Sequence, residues 1–439
     1  MAQGRAIGRF EAALGVVGLL ALGISYVLLT GWNPVPAVLD WVDRLGSLSR
    51  PEPAWKTRTG ERPEYAMVSG RTVIVIMPGA VEARQAGTGD EVWSRAVPWA
   101  SVAGDDVNAV VVVGRENRRG FEVIDPETGA VRWNDDSAAG VWTYRESVLS
   151  MTCPKSDTCE LTSRAPSNGQ VRWRTALPGA GKVLAGLNHQ LLGSRELAAS
   201  TVDARVAAPL DLPSMLGFPL DGKVQVVNTG TGRRVGVAEG NSNTRVVVVG
   251  SRLLYSTAQR KGGQCRYALE ARDPSTGQRV WRRDGYDLRT ASGAGCEQRR
   301  DPSGGGGALA AVRGDNREVL LSAVTGAELW VGAAGEQVLA TDGLIALVRA
   351  GNGKAVKAID LGVRDTLWQH AAGDGVEASL NRNAALIIDS GRVRAVEIGT
   401  GRVVVDVRTT ARVVGCGPDS IVLVSGRTIG LLPFGTIAS

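Results

Sequence analysis

The chain is predicted to fold as an all-β propeller of about eight four-stranded blades, with seven and nine as the neighbouring counts. Three observations predict it. The first is a recurring phrase: an apolar strand-like run, a Thr-Gly or Asn-Gly turn, then a short strand carrying tryptophan. It reads VEARQAGTGDEVW ending at Trp93, FEVIDPETGAVRW at Trp133, LTSRAPSNGQVRW at Trp173, LEARDPSTGQRVW at Trp281 and LLSAVTGAELW at Trp330. Weaker copies end at Trp368, Gly236 and Val405. The second is the unit around each phrase, as in SVAGDD, NAVVVVGR, GFEVIDPETG and AVRWND, which divides into four strand-like pieces joined by polar turns. The third is the second piece of each unit, such as TVIVIM from Thr72 or AVVVV from Ala109, which is apolar without alternation. A strand reads that way when both of its faces are buried, as in blades packed face to face. One hairpin of this kind cannot fold alone, so the copies must stack.

Taken in chain order, residues 1–11 read as a cytoplasmic tail and residues 12–32 as an uncleaved transmembrane helix. The run 12–30 carries no charge and is long enough to cross a bilayer. Arg5 and Arg9 precede it, and no base follows until Arg44, so the positive-inside rule exports everything after Trp32. The competing reading, a cleaved signal peptide, lacks a small-x-small site directly after the run. Residues 33–63 form a stalk rich in Pro, Arg and Ser, in which Ala54-Trp55-Lys56 resembles an orphan fourth strand able to close the ring. Residues 64–439 are the propeller. Within it, residues 196–218 read as an insertion without clear strands, and the glycine-rich residues 303–307 as a flexible loop. The expected location is the cell membrane, single-pass, with the propeller outside the cytoplasm.

The cysteines agree with export. Cys153 and Cys159 bracket CPKSDTC, a spacing that suits a staple across one hairpin, and Cys265 and Cys296 could tie neighbouring units through their loops. Cys416 is then left over in a late strand. A metal site competes weakly, because no CxxC pair is present and only His189 and His370 could help.

The repeat is similar to the tryptophan-docking motif of quinoprotein-like β-propellers, the pyrroloquinoline-quinone type. Asp125, Asp273 and Asp360 match its acidic position, and Trp93, Trp133, Trp173, Trp281, Trp330 and Trp368 its docking tryptophan. The resemblance covers about residues 65–434. It implies the fold strongly and the activity weakly, since the family holds quinone-dependent dehydrogenases, outer-membrane assembly scaffolds and sensor ectodomains. WD40 propellers have similar repeat lengths, but their Gly-His and Trp-Asp pairs are missing here.

A quinone dehydrogenase of the family implies an adjacent cysteine pair against the cofactor and a calcium-binding carboxylate set. No two cysteines are neighbours in this chain. The acidic motif residues are explained by turn formation, and neither histidine lies in a triad-like motif. No catalytic residue, cofactor or metal is therefore expected. The net charge of +6 lies almost wholly on arginine with no basic run, which argues against nucleic acid as a partner. Clustered bases at Arg115, Arg118, Arg119, Arg260, Lys261, Arg299 and Arg300 read either as a solvated rim or as one basic face. Such a face would meet an envelope protein or an anionic envelope polymer. The expected function is a non-catalytic interaction scaffold in the envelope. A sensor or ligand-binding ectodomain using the central channel is the alternative, and a quinone-dependent dehydrogenase the third reading.

Overall fold

The computed structural model describes residues 52–115, 119–155, 158–178, 209–220, 223–239, 244–288, 296, 304–380, 384–389, 391–417 and 419–434. The expected tail, the expected helix at 12–32 and most of the expected stalk lie outside these residues. Among the described residues no helix is long and apolar enough to cross a membrane, and the only helical turn is a short 3-10 segment, Asp106–Asn108.

The described residues form nine antiparallel sheets, each an up-and-down meander, so the propeller has nine blades rather than eight. Blade 1 spans residues 65–96, blade 2 100–135, blade 3 140–178, blade 4 215–239 and blade 5 244–284. Blades 6, 7 and 8 span 286–331, 337–371 and 377–408. Blade 9 takes three strands from residues 412–433 and its fourth from Trp55–Arg58, in the order Trp55–Arg58, Thr428–Pro433, Ser420–Ser425, Arg412–Cys416. Trp55 lies opposite Leu431 and Thr57 opposite Ile429. The orphan strand expected at residues 54–56 therefore closes the ring. Counting by tryptophan phrases understated the blades because blade 9 has no Thr-Gly turn: its outer hairpin is interrupted by the two ends of the folded chain. Blade 4 shows three strands among the described residues.

The unbroken apolar strands are explained by the ring. In blade 1, Val73 and Val75 pack with Val422 and Val424 of blade 9, while Ile74 and Ile76 pack with Val111 and Val113 of blade 2. Alternate side chains of one strand thus go to opposite neighbours, and both sets are excluded from water. Blade 2 repeats the division, Val110 and Val112 turning toward Val148 of blade 3. Burying one such side chain contributes about 1.5–3 kcal/mol, so blade-to-blade seams hold most of the core.

Two expectations about loops are corrected. The insertion contains a strand, Met215–Leu220, paired along its length with Lys223–Asn228; residues 179–208 lie outside the description. The glycine-rich stretch is not a loose excursion. Gly304 and Gly305 pair with Leu309 and Ala308, and both are buried. A methyl group on Gly305 would come within 1.9 Å of the Thr341 carbonyl, and one on Gly306 within 1.6 Å of that of Asp342. Glycine is needed there because two blades meet backbone to backbone.

Candidate interaction surface

The tryptophan and the turn glycine of the repeat belong to one device that spans two blades. The acidic residue builds the turn first. Asp125 Oδ1 accepts from the amides of Glu127 (2.9 Å) and Thr128 (2.8 Å), and Asp360 Oδ1 from those of Gly362 (2.8 Å) and Val363 (3.1 Å). Asp273 does the same with Ser275 and Thr276. Hydrogen bonds from Ser275 and then Thr276 hold the Asp273 carboxyl below its usual range. Asp125 is likewise lowered; partial burial opposes the shift, and bonds from Arg132 and Thr128 outweigh it. The carboxylates are spent on local backbone, as the sequence implied.

The turn then brings its glycine to a positive φ, and the preceding blade's tryptophan lies on it. A methyl group on Gly129 would come within 2.8 Å of Trp93, on Gly169 within 2.7 Å of Trp133, and on Gly232 within 2.6 Å of Trp173. The same holds for Gly326 under Trp281 and Gly401 under Trp368. Each indole also donates its N–H to the carbonyl three residues before that glycine: Trp93 to Pro126 (3.1 Å), Trp133 to Pro166 (2.8 Å), Trp173 to Thr229 (2.6 Å), Trp281 to Ala323 (2.9 Å) and Trp368 to Ile398 (2.7 Å). Trp55 completes the set, covering Gly89 and donating to Ala86 O at 2.7 Å. The residue two places after the tryptophan can add a clamp on the same glycine's carbonyl. Arg95 Nη2 reaches Gly129 O at 2.8 Å, Arg283 Nε reaches Gly326 O at 2.9 Å, and His370 Nε2 lies 2.9 Å from Gly401 O. His370, set aside in the sequence as outside any triad-like motif, thus belongs to the docking device.

Three of the nine seams depart from this pattern. Between blades 8 and 9, Val405 stands in the tryptophan position because blade 9 has no turn to cover. Between blades 6 and 7, Arg364 occupies the glycine position with φ 64°, its N–H bonded to Asp360 O as a glycine's would be. Its guanidinium crosses the seam to blade 6. A cavity of about 380 Å³ opens there, lined by Trp330, Glu328, Glu336, Lys357, Arg364 and Thr366. Within it Lys357 Nζ is ion-paired with Glu336 at 2.7 Å, and Arg364 donates to the backbone carbonyl of Glu328 at 3.0 Å.

The third exception lies between blades 4 and 5, where Gly236 replaces the tryptophan. A methyl group on Gly236 would meet Pro274 O at 1.9 Å, so the two blades touch through backbone. The turn Asp273-Pro274-Ser275-Thr276-Gly277 has the usual φ of 70° at Gly277, yet among the described residues a methyl group there would meet nothing within 4 Å. Gly277 is exposed, whereas the six covered glycines are buried or half-buried. Arg279, two residues on, is also exposed, as are Arg233 and Arg234 at the start of the outer strand of blade 4.

The cysteines and the basic residues fall into place on the ring. Cys153 and Cys159 form a disulfide across the second-to-third hairpin of blade 3. Cys265 of blade 5 pairs with Cys296, which precedes the second strand of blade 6, so adjacent units are tied. Cys416 ends a strand of blade 9, half-buried, with its Sγ donating to Gly417 O. In an antiparallel meander all second-to-third connections lie on one side of the ring. Arg119, Arg260 and Lys261, all exposed, share that side. Arg115 does not add to a free charge there, because it is ion-paired with Asp136 (2.5 Å) and Glu122 (3.3 Å). Arg118, Arg299, Arg300 and His189 lie outside the described residues. Among the described residues no group of three or more His, Cys, Asp or Glu is placed to hold a metal.

A ring of four-stranded blades locked by tryptophan on turn glycine defines a quinoprotein-type β-propeller. A family model described as outer membrane protein assembly factor BamB matches residues 43–212 and 266–415, well over half the chain, and the chain belongs to that family. No curated protein matches it. Among solved structures, BamB from Moraxella catarrhalis is 16% identical, with 81% of this chain and 99% of that one covered and a TM-score of 0.36. The computationally designed Ika8 protein is 16% identical over 83% and 99%, with a TM-score of 0.39. Quinohemoprotein alcohol dehydrogenase from Comamonas testosteroni is 11% identical over 88% and 77%, with a TM-score of 0.40. None of these likenesses bears on activity.

Proposed function

We propose that this protein is a non-catalytic propeller of the cell envelope that holds other envelope proteins on its rigid ring. The observation that carries the reading is membership of a family described as an outer-membrane assembly factor. Two features support it. The motif carboxylates Asp125, Asp273 and Asp360 are consumed by their own turns, which leaves them no role toward a bound group. The two disulfides suit an oxidising compartment. In this reading residues 12–32 anchor the chain in the membrane, with the ring outside the cytoplasm. A nine-bladed ring fixes many loops in one plane, which is what a docking platform requires.

The test is crosslinking in intact membranes, followed by purification of the full chain and an absorption spectrum with added calcium and pyrroloquinoline quinone. Stoichiometric envelope proteins without a quinone chromophore are expected. A calcium-dependent quinone spectrum on a solitary protein would overturn the proposal and direct work to dehydrogenase assays.

A further inference from the structure

At six seams the docking indole covers the glycine of the next blade's turn and donates its N–H to that turn. The seam between blades 6 and 7 departs from this on both sides. Arg364 takes the glycine position at φ 64°, a conformation that favours glycine. Gly332 takes the clamp position two places after Trp330, and a methyl group on it would come within 2.7 Å of that indole. The Trp330 ring thus lies against the end of its own strand, and its N–H has no acceptor among the described residues. Trp330 and Arg364 both line the cavity of about 380 Å³. We infer that this cavity is a binding site for a carboxylate carried on a flat or apolar body, either a small free acid or the C-terminal residue of a peptide. The inference goes beyond the scaffold reading and does not depend on it.

The sign of the ligand follows from the bonds already made within the lining. Glu336, 8% exposed, accepts from Lys357 Nζ on one oxygen (2.7 Å) and from the Ala333 amide on the other (2.8 Å). Glu328 accepts from the Tyr286 hydroxyl and pairs with Arg313 at 3.5 Å. Arg364 donates to a backbone carbonyl instead, so among the described residues it brings the lining a positive charge that no carboxylate there matches. What remains is donor capacity: the Trp330 N–H, the other N–H groups of Lys357 and Arg364, and the Thr366 hydroxyl. A carboxylate accepts from several such donors at once, and a guanidinium fork fits its geometry. The body of the ligand follows from the walls, where Trp330 and the buried Ile359 give an aromatic and an aliphatic surface. The volume lies toward the lower end of small-molecule sites, about 300–1,000 Å³, with room for one ring or one terminal residue. An arginine held at positive φ where the other seams use glycine is strain of the kind kept at binding sites.

The probes are hydrocinnamate, its neutral amide, and a short peptide ending in phenylalanine with a free or an amidated C-terminus, each titrated calorimetrically into the full chain. A free acid is expected to bind saturably and at least tenfold better than its amide. Binding of hydrocinnamate assigns the site to a small molecule, and binding of the peptide acid alone assigns it to a C-terminus. Arg364→Gly gives this seam the glycine of the others and should weaken the acid at least tenfold. Its urea midpoint should stay level or rise, because the strained φ is relieved, whereas an arginine kept only for structure would lower the midpoint when lost. Trp330→Phe keeps a ring and deletes the N–H, and should weaken the acid roughly threefold to tenfold. Arg233→Ala, at an exposed arginine of blade 4, should leave binding unchanged, which separates this site from a general attraction of acids to a basic protein. No saturable binding of either acid, equal binding of the amides, or full binding to folded Arg364→Gly would each overturn the inference. Crosslinking of envelope proteins to the ring reads the scaffold proposal separately, so either can fail without the other.

Discussion

The seam between blades 5 and 6 and the seam between blades 4 and 5 are built from the same turn and finished differently. In the first, Trp281 is 9% exposed, lies on Gly326 and donates to Ala323 O. In the second, Gly236 meets Pro274 O, and among the described residues nothing covers Gly277. The turn therefore does not need the tryptophan in order to form, because its Asx-type hydrogen bonds and positive-φ glycine suffice. What the tryptophan supplies is cohesion between blades, and a seam can close without it only by bringing backbones together. A propeller of this type thus has interchangeable seams, some sealed by a side chain and some by glycine, and the second kind leaves a turn on display.

The largest contrast should come from Trp281→Ala, which removes a buried indole and a hydrogen bond between blades. A loss of about 3–5 kcal/mol is expected, read as a lowered urea midpoint. Next is a matched pair of glycine substitutions. Gly277→Ala carries only the left-handed backbone cost, about 1–2 kcal/mol. Gly326→Ala carries that cost and also drives a methyl group to 2.6 Å from the Trp281 ring, adding about 1–3 kcal/mol of overpacking. Equal losses for the two would remove the distinction between covered and bare seams. His370→Ala deletes the clamp on Gly401 O and the ring contact with Trp368 at 5.2 Å. About 1 kcal/mol is expected, and a neutral result would confine the device to the tryptophan alone.

The smallest effect concerns pH. Asp273 has a folded-state pKa below its unfolded value, because Ser275 and Thr276 hydrogen-bond its charged form. Its contribution is therefore complete above the unfolded carboxylate pKa and is lost as pH falls through the lowered one. Under about 1 kcal/mol is involved, since the group is near solvent. Asp273→Ala should flatten the fall of the urea midpoint between about pH 5 and pH 2 by that small amount, and an unchanged slope would assign the turn's stability to Gly277 alone.

The fold was legible because each repeat carries its own local instructions: Asp and Gly for the turn, an apolar run for the twice-buried strand, tryptophan for the seam. Even the closing strand showed itself as a stray tryptophan phrase at Trp55. The blade count was not, because the phrase that was counted joins a turn to a tryptophan strand, and in the closing blade the tryptophan strand at Trp55 comes from the other end of the described chain with no turn between. The role of residues 304–306 was hidden for a different reason. Glycine there answers to the Thr341 and Asp342 carbonyls of another blade, a neighbour thirty-odd positions away whose register no local pattern encodes. Arg115 counted from sequence as a free base, and only the folded hairpin brings Asp136 and Glu122 to it. The uncovered turn at Gly277 could be suspected from Gly236 in a tryptophan column, but only the folded seam shows that the turn forms with no cover among the described residues.

The latch of the ring joins residues 368 positions apart, Thr59 Oγ1 donating to Arg427 O beside the paired strands Trp55–Arg58 and Thr428–Pro433. A strand near the start of the described chain must therefore wait for one near its end. Until then blade 9 lacks its outer strand, blade 1 has no neighbour on the face of Val73 and Val75, and Trp55 has no Leu431 strand to hold it over Gly89. A long wait of this kind is slow to resolve, and it makes closure a test of completeness. A chain truncated before residue 428 would keep most of its blades and still remain an arc, which proteolysis should distinguish from the finished circle.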